Sequence, residues 1–386
     1  SSEIPCKGVA RALLMRVYLQ RAGYSLSSTT GKLTRPDDTT RKSYFEAVIR
    51  EWETFKAEGY HNFYGGGYEQ LFKNYSQLIL NNQESLWEIA FEPNQGQTDN
   101  AGMWATYNGP IVDAPGSYSG TSSYMGRANA FFTVLPYWKS FYESNADGSQ
   151  KDVRRDVNFV DYAYVWNATT ETQDKSYTAS SIAKSLYRYP GKWRREWMAL
   201  GFVDPNNTGV NYCPLRYADV VLMAAEAYNE TNNATEAWKL LNDVRQRAEA
   251  TPITSANYAS LMKAPKVYNL DFIDDSDDAG KFRTALYWER GFELCYEGQR
   301  KYDFLRWGCL GDALRAAQAY IESWYPDANE YINASTLQSW DPVSWASSNY
   351  VAGHNFVDGK HELYPIPLAE IQSNAALNGQ NNPGFE

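Results

Sequence analysis

The sequence predicts a mainly α protein, in which helical hairpins stack on one another and pack with a loop-rich layer and a few short strands. Three observations lead there. Apolar residues recur at helical spacing in paired blocks at about 5–58, 215–250 and 279–322. The tracts between and after them, about 92–212 and 323–362, are rich in Gly, Pro, Asn, Ser and Thr and keep no such period. Hairpins of this kind cannot bury their apolar faces alone, so blocks far apart in sequence must meet in space, and residues 1–386 form one domain.

In chain order, the first helix spans about 5–22. Pro5 suits its first turn, Val9, Leu13, Leu14, Val17 and Tyr18 share its apolar side, and Gly23 can cap it. A polar Ser/Thr-rich loop follows. The second helix, about 38–58, buries Tyr44, Phe45, Val48, Ile49, Trp52 and Phe55. Two amphipathic helices of this size look like a tetratricopeptide-type hairpin with a longer loop. A short helix at about 68–80 and a strand at 85–91, with Trp87, Ile89 and Phe91 on one side, come next. Helical spacing returns at 215–231 and 234–250, where the short Asn232-Asn233 link forces an antiparallel pair. The last hairpin pairs 279–297 with about 299–322. The tail, 363–386, is rich in Pro and Asn.

Charge concentrates in residues 289–307. Glu289, Glu293 and Glu297 are spaced four apart and share one helix face, with Arg290, Arg300 and Arg306 as counter-charges. Phe292, Leu294, Tyr296, Phe304, Leu305 and Trp307 are interleaved with them. This stretch resembles the ER-x2-EL-x2-EG-x-R-x2-D-x2-RW signature of SusD/RagB-family proteins. Leu215–Asn229 is similar to that family's LRYADVLLM-x-AEA-x-N, and Leu240–Ala248 to its LN-x-VR-x-RA. Leu363-Tyr364-Pro365-Ile366-Pro367, Glu370-Ile371 and Asn381–Phe385 resemble its closing motif. Asp152–Asp156 and Tyr189–Glu196 resemble its D-x-RR and PGKYRRE segments, whose plain role is to tie loops to helices by salt bridges. Four motifs in the right order span most of the chain.

The resemblance implies a SusD-like α–α superhelix with a ligand-facing loop layer. It implies a surface glycan-binding lipoprotein that hands oligosaccharides to a SusC-like TonB-dependent outer-membrane transporter. The outer membrane would be reached through a lipid anchor outside this chain. Family members carry an N-terminal segment headed by the lipid-bearing Cys. The resemblance implies that this chain lacks it and is a fragment, a cleaved form or one of two polypeptides.

Composition fits that expectation. A net charge of −10 argues against nucleic acid, whose phosphates need clustered Lys and Arg. No apolar run approaches 18 residues, so nothing here reads as a membrane span. Cys6, Cys213, Cys295 and Cys309 lack C-x2-C spacing and read as free thiols, with Cys295 buried in its helix. His61, His354 and His361 form no metal motif, no G-x-S-x-G elbow is present, and no phosphate loop suggests a cofactor. The Asp271–Asp278 run has oxygen ligands enough for a cation but no EF-hand pattern; an anionic patch before Ala279 is the plainer reading.

The Glu triad invites a glycosidase reading, since those enzymes use two carboxyls. Carboxylates stacked along one helix among arginines are more simply a structural ion network. Removing one member of such a network would cost several kcal/mol. What remains is binding by aromatic rings. Trp, Tyr and Phe make 15% of the chain, with 13, 30 and 16 copies. A flat ring covers the C–H face of a sugar while neighbouring amides and carboxylates meet its hydroxyl edge. The candidate ligand-binding residues are Trp104, Tyr107, Asn108, Tyr118, Trp166, Trp193, Trp340 and Trp345, chosen partly on the resemblance. Asn94, Gln95, Asp99, Asn100, Asp341 and Asn349 stand beside them. Most such aromatics in any protein anchor loops to a core. A helical-repeat scaffold for a protein or peptide ligand is the second reading, and an enzyme the third.

Overall fold

The computed structural model describes residues 2–92, 102–131, 134, 137–177, 189–201, 206–262, 275–324 and 352–385. Helix α1 (Lys7–Ala22) leads through a two-residue antiparallel pair, β1 (Ser25–Leu26) and β2 (Leu33–Thr34), into α2 (Asp38–Glu58). Asp37 caps α2, its carboxylate accepting the Thr40 N–H at 3.0 Å. Helix α3 (Tyr68–Gln77) is shorter than the apolar pattern suggests, because Leu78 turns left-handed at φ 59. Strand β3 (Ser85–Ile89) follows.

The middle of the chain is not structureless. It holds short helices at Trp104–Tyr107 and Arg154–Asn158 and four short strands: β4 (Phe159–Val160), β5 (Ala163–Asn167), β6 (Thr172–Ser176) and β7 (Tyr189–Pro190). β4 pairs with β7, and β5 with β6 as a hairpin. Strand β8 (Tyr212–Arg216) returns to pair antiparallel with β3. It runs directly into α4 (Tyr217–Glu230), which forms the second long hairpin with α5 (Ala234–Arg247). Asn233 caps α5 by accepting the Glu236 N–H at 3.2 Å.

The last helical unit differs from expectation. Helix α6 (Asp278–Leu294) is followed by α7 (Arg300–Arg306) and α8 (Leu310–Trp324), not by one continuous helix over 299–322. The break falls at Gly308, with φ 72. A side chain there would meet the Tyr24 ring at 2.6 Å. In the acidic run, Asp277 caps α6 through the Gly280 N–H at 2.7 Å, and Asp275 accepts the Thr284 hydroxyl at 2.8 Å. Asp271 and Asp274 lie outside the described residues.

The hairpins do meet. α1 packs on α2, α2 on α4, and α4 on both α5 and α6. Val9, Met15, Val48, Trp52, Val221, Leu241, Phe282 and Leu286 fill the shared core. A second cluster joins α3 to the loop layer through Tyr68, Phe72, Tyr75, Val157 and Trp193.

Helix α6 ends inside the protein, where its last carbonyls have no intrahelical donor. Side chains brought in from elsewhere supply them. Lys192 Nζ and Arg216 Nη2 donate to the Glu293 carbonyl at 2.9 and 3.1 Å, and Asn158 Nδ2 to the Phe292 carbonyl at 2.9 Å. Two of these donors are cations at the negative end of the helix dipole. The acidic side chains of the same turns bind the same group of cations. Arg154 reaches Glu289 at 2.5 Å and Glu293 at 3.2 Å. Arg216 bridges Glu84, Glu293 and Glu297 at 2.8, 3.0 and 2.7 Å. Arg245 pairs with Glu289 at 2.8 Å, Arg247 with Glu84 at 2.8 Å and with Glu293, and Lys192 with Glu297 at 2.5 Å. All are buried. A second network joins Arg290 to Asp303 and Asp219, Arg16 to Asp219, and Arg306 to Asp303 and Glu226.

Burial by itself raises the Glu293 carboxyl. Arg247, Arg216, Arg154 and Lys192 outweigh it and hold the group at about 2. Asp219 behaves alike, with burial opposed by Arg290 and Arg16, and also lies at about 2. Both values fall below the ordinary 4.5 of Glu and 3.8 of Asp. A depressed carboxylate contributes stability above its unfolded value and loses it as pH falls through its folded value. The urea midpoint should therefore hold down to about pH 4.5 and fall steeply from there towards pH 2. Urea titrations across that range check this; a midpoint that does not change from pH 5 to pH 2 would contradict it.

Candidate functional site

The loop layer is held together by backbone bonds that local period could not reveal. Val112 exchanges both hydrogen bonds with Ala128, at 3.1 and 3.0 Å. On its other side, Asp113 N–H donates to the Tyr164 carbonyl, and Tyr164 N–H to the Ile111 carbonyl, each at 2.9 Å. The 111–113 segment is thus the middle of a small sheet between residue 128 and β5. Gln173, on β6, clamps a further loop to it. Its carbonyl accepts the Met125 N–H at 2.8 Å and its amide donates to the Gly126 carbonyl at 2.9 Å.

Below this sheet Tyr162 and Tyr164 both donate their hydroxyls to Glu196. Lys175 lies 3.2 Å from that carboxylate and 3.9 Å from the centre of the Tyr162 ring. Burial raises the Glu196 carboxyl, but the two phenols, Arg194 and Lys175 together hold it below its ordinary value. A carboxylate so held is a tether rather than a proton acceptor. Arg194 donates to the backbone carbonyls of Gly191, Asp156 and Val157 at 2.7, 2.7 and 3.0 Å. Arg154 and Lys192 extend into the α6 network. The charged segments Asp152–Asp156 and Tyr189–Glu196 do tie loops to helices.

The predicted aromatic residues fall into three groups. Trp193 is only 2% exposed and packs edge-on against Trp104 at 5.3 Å and against Phe72 at 5.9 Å. It is a core residue, and the expectation that it stacks on a ligand is corrected: both faces are covered by α3 and the loop layer. Asn108 is also buried, its amide donating to the Tyr296 carbonyl at 3.2 Å. It fixes the loop to the turn after α6 and has no surface to offer. Trp104 is partly buried between Trp193 and Tyr212.

Tyr118 and Trp166 form a half-buried pair against the second core cluster, their centroids 4.4 Å apart and their planes tilted by 43°. Trp166 is on the same face of β5 as Tyr164, directly across from Gln173. Tyr107 is in the third group. It stacks on Phe131 with centroids 4.3 Å apart and planes only 12° from parallel. Phe131 is 67% exposed. Trp340 and Trp345 lie outside the described residues, as do Asn94, Gln95, Asp99 and Asn100.

Phe131 was not foreseen from the sequence. Its position depends on Ala130, which takes φ 47, a conformation rarely adopted by residues other than glycine. That costs on the order of 1 kcal/mol. The backbone reverses there, so Ala130 stays buried while the next ring leaves the surface and lies on Tyr107. No periodic signal marks such a turn. Among the described residues, no group of three or more His, Cys, Asp and Glu side chains is arranged to hold a metal ion.

The profile of the SusD family matches residues 83–385. A SusD-like protein of Formosa agariphila is 27% identical over 331 residues, covering 80% of this chain and 55% of its own. The crystal structure of a SusD homolog from Bacteroides thetaiotaomicron is 25% identical, with a TM-score of 0.67 over 99% of this chain and 64% of that one. Surface glycan-binding protein A from Bacteroides fluxus shares the fold at 18% identity, with a TM-score of 0.57 over 98% of this chain and 63% of that one. The chain thus spans from just over half to just under two thirds of the length of these relatives.

The division between core and surface rings can be tested directly. Trp193→Ala should cost about 3–5 kcal/mol in urea unfolding. Phe131→Ala should stay within about 1 kcal/mol of wild type. Equal losses for the two variants would show that Phe131 is packed and not a surface ring.

Proposed function

The chain belongs to the SusD family, and from that premise we propose that it binds an extracellular oligo- or polysaccharide at the outer-membrane surface without catalysis. The bound glycan passes to a SusC-like TonB-dependent transporter, and a lipid anchor holds the protein at the membrane. The observation that carries the reading is the Tyr107–Phe131 stack. A protein does not hold Ala130 in a left-handed turn, with a Phe ring largely in water, for the sake of its core.

The chemistry of the site suits a sugar. Phe131 is backed by Tyr107, which keeps its ring from turning, and a rigid ring binds with little loss of side-chain freedom. Asn129, exposed two residues before it, offers an amide to hydroxyl groups. Tyr118 and Trp166 give a second aromatic surface on the same loop layer. Trp340 and Trp345 remain proposed ligand residues on the family resemblance. The carboxylates of the α6 network are each tied to arginine or lysine and buried, which speaks against a pair flanking a scissile bond.

A protein or peptide ligand is the second reading. α1 leaves Leu14 and Val17 exposed on its outer side, away from the loop layer, as a helix-binding scaffold would.

Affinity electrophoresis in native gels cast with different polysaccharides separates the two. Retardation by at least one glycan, weakened about tenfold or more in Phe131→Ala and Tyr107→Ala, is the expected result. Retardation that persists unchanged in both variants would move the site elsewhere on the chain. No retardation by any glycan, with binding to a protein lost on Val17→Asp, would favour the scaffold.

A further inference from the structure

Three of the four cysteines are inert by position. Burial pushes the Cys213 and Cys309 thiols up to about 12, and that of Cys295 also rises. Cys6 differs. It is exposed, at the N-cap of α1, and its Sγ lies 3.8 Å from Nε2 of His61. The other ring nitrogen, Nδ1, is 3.1 Å from the Asn82 backbone carbonyl. A carbonyl only accepts, so Nδ1 carries the proton and Nε2 presents its lone pair to the thiol.

The imidazole is fixed in that attitude. It stacks on Phe55 with centroids 5.3 Å apart and planes 7° from parallel. Gly8 lies against its edge, where a side chain would come within 2.6 Å of Nε2. Burial lowers the imidazole below its ordinary value, against the upward pull of its bonds to the Asn82 and Gln83 backbone and of Glu58. Glu58 is itself paired with Arg11 at 3.1 Å. Thiol, oriented base and orienting carbonyl stand in line, the arrangement that activates a sulfur nucleophile.

We propose that Cys6 and His61 form a thiol–imidazole dyad whose function is exchange with small disulfides, separate from glycan binding. Nε2 of His61 takes the proton from Sγ of Cys6. The thiolate attacks one sulfur of the disulfide, a new S–S bond forms as the old one breaks, and the departing thiolate takes the proton back from His61. The product is Cys6 in a mixed disulfide and one molecule of free thiol.

The test uses the whole chain with cystamine, and with iodoacetamide as a second probe. Site mapping by mass spectrometry should find one fast-reacting cysteine, Cys6, and Cys6→Ser should abolish the fast phase. At neutral pH the Cys6 rate should exceed that of an exposed model thiol such as glutathione by about tenfold or more. His61→Gln should slow it about tenfold. A wild-type Cys6 that reacts no faster than glutathione overturns the proposal, and needs no variant to fold. So does a folded His61→Gln that reacts with the wild-type rate and pH profile.

Discussion

A helix that stops inside a protein must find partners for its last carbonyls. Helix α6 does so with its own acidic residues as part of the solution. Lys192 and Arg216 serve at once as donors to the Glu293 carbonyl and as counter-ions to Glu297. Arg154, Arg245 and Arg247 close the group around Glu289, Glu293 and Glu84. Removing a member leaves its buried partners short of a counter-charge, and breaking a buried pair costs about 3–5 kcal/mol in comparable cases. The cations come from the Arg154–Asn158 helix, the loop after β7, the end of β8 and α5. One electrostatic knot therefore joins elements spread over most of the sequence.

That knot explains how so much irregular backbone keeps a shape. Among the described residues the loop layer has two- and five-residue ladders and isolated bridges, too short to be stable in isolation. It is fixed at its base by Arg154 and Lys192, clamped within by Gln173, and braced by the phenols of Tyr162 and Tyr164 on Glu196. The outer side carries aromatic rings among solvent-exposed charges such as Asp113, Glu171 and Asp174. Scaffold and proposed ligand surface are thus built from different chemistry: buried ion pairs below, exposed rings above.

The helical frame was legible because its signals are local and periodic. Tyr44 to Phe55 and Leu240 to Val244 each mark one face of a helix that packs into the core; on α1 the expected face was only partly right, since Ala12, Met15 and Leu19 are buried beside Val9 while Leu14 and Val17 are exposed. The same logic placed Glu289, Glu293 and Glu297 on one face and read them as a network, which they are. Their partners were harder. Arg290, Arg300 and Arg306 are near in sequence, yet the cations on the triad are Arg154, Lys192, Arg216, Arg245 and Arg247. Only tertiary structure brings those together. The aromatic surface was harder still. Trp193 and Phe131 look alike in a Gly- and Asn-rich tract, but one is core and the other exposed. The difference lies in a left-handed alanine, which composition and period do not register. The split of the last hairpin at Gly308 was missed because the apolar pattern continues across the break.

The central claim is that the ion network around Glu293 fixes the loop layer to the helical frame. Hydrogen exchange on folded Glu293→Gln tests it most directly. The account predicts that protection is lost first in 154–160, where Arg154 loses one counter-charge, and in 189–195, tied to the same turn by Lys192 on the Glu293 carbonyl, while α2 and α4 keep wild-type protection. Wild-type protection in both loop segments, with the helices loosened instead, would contradict it.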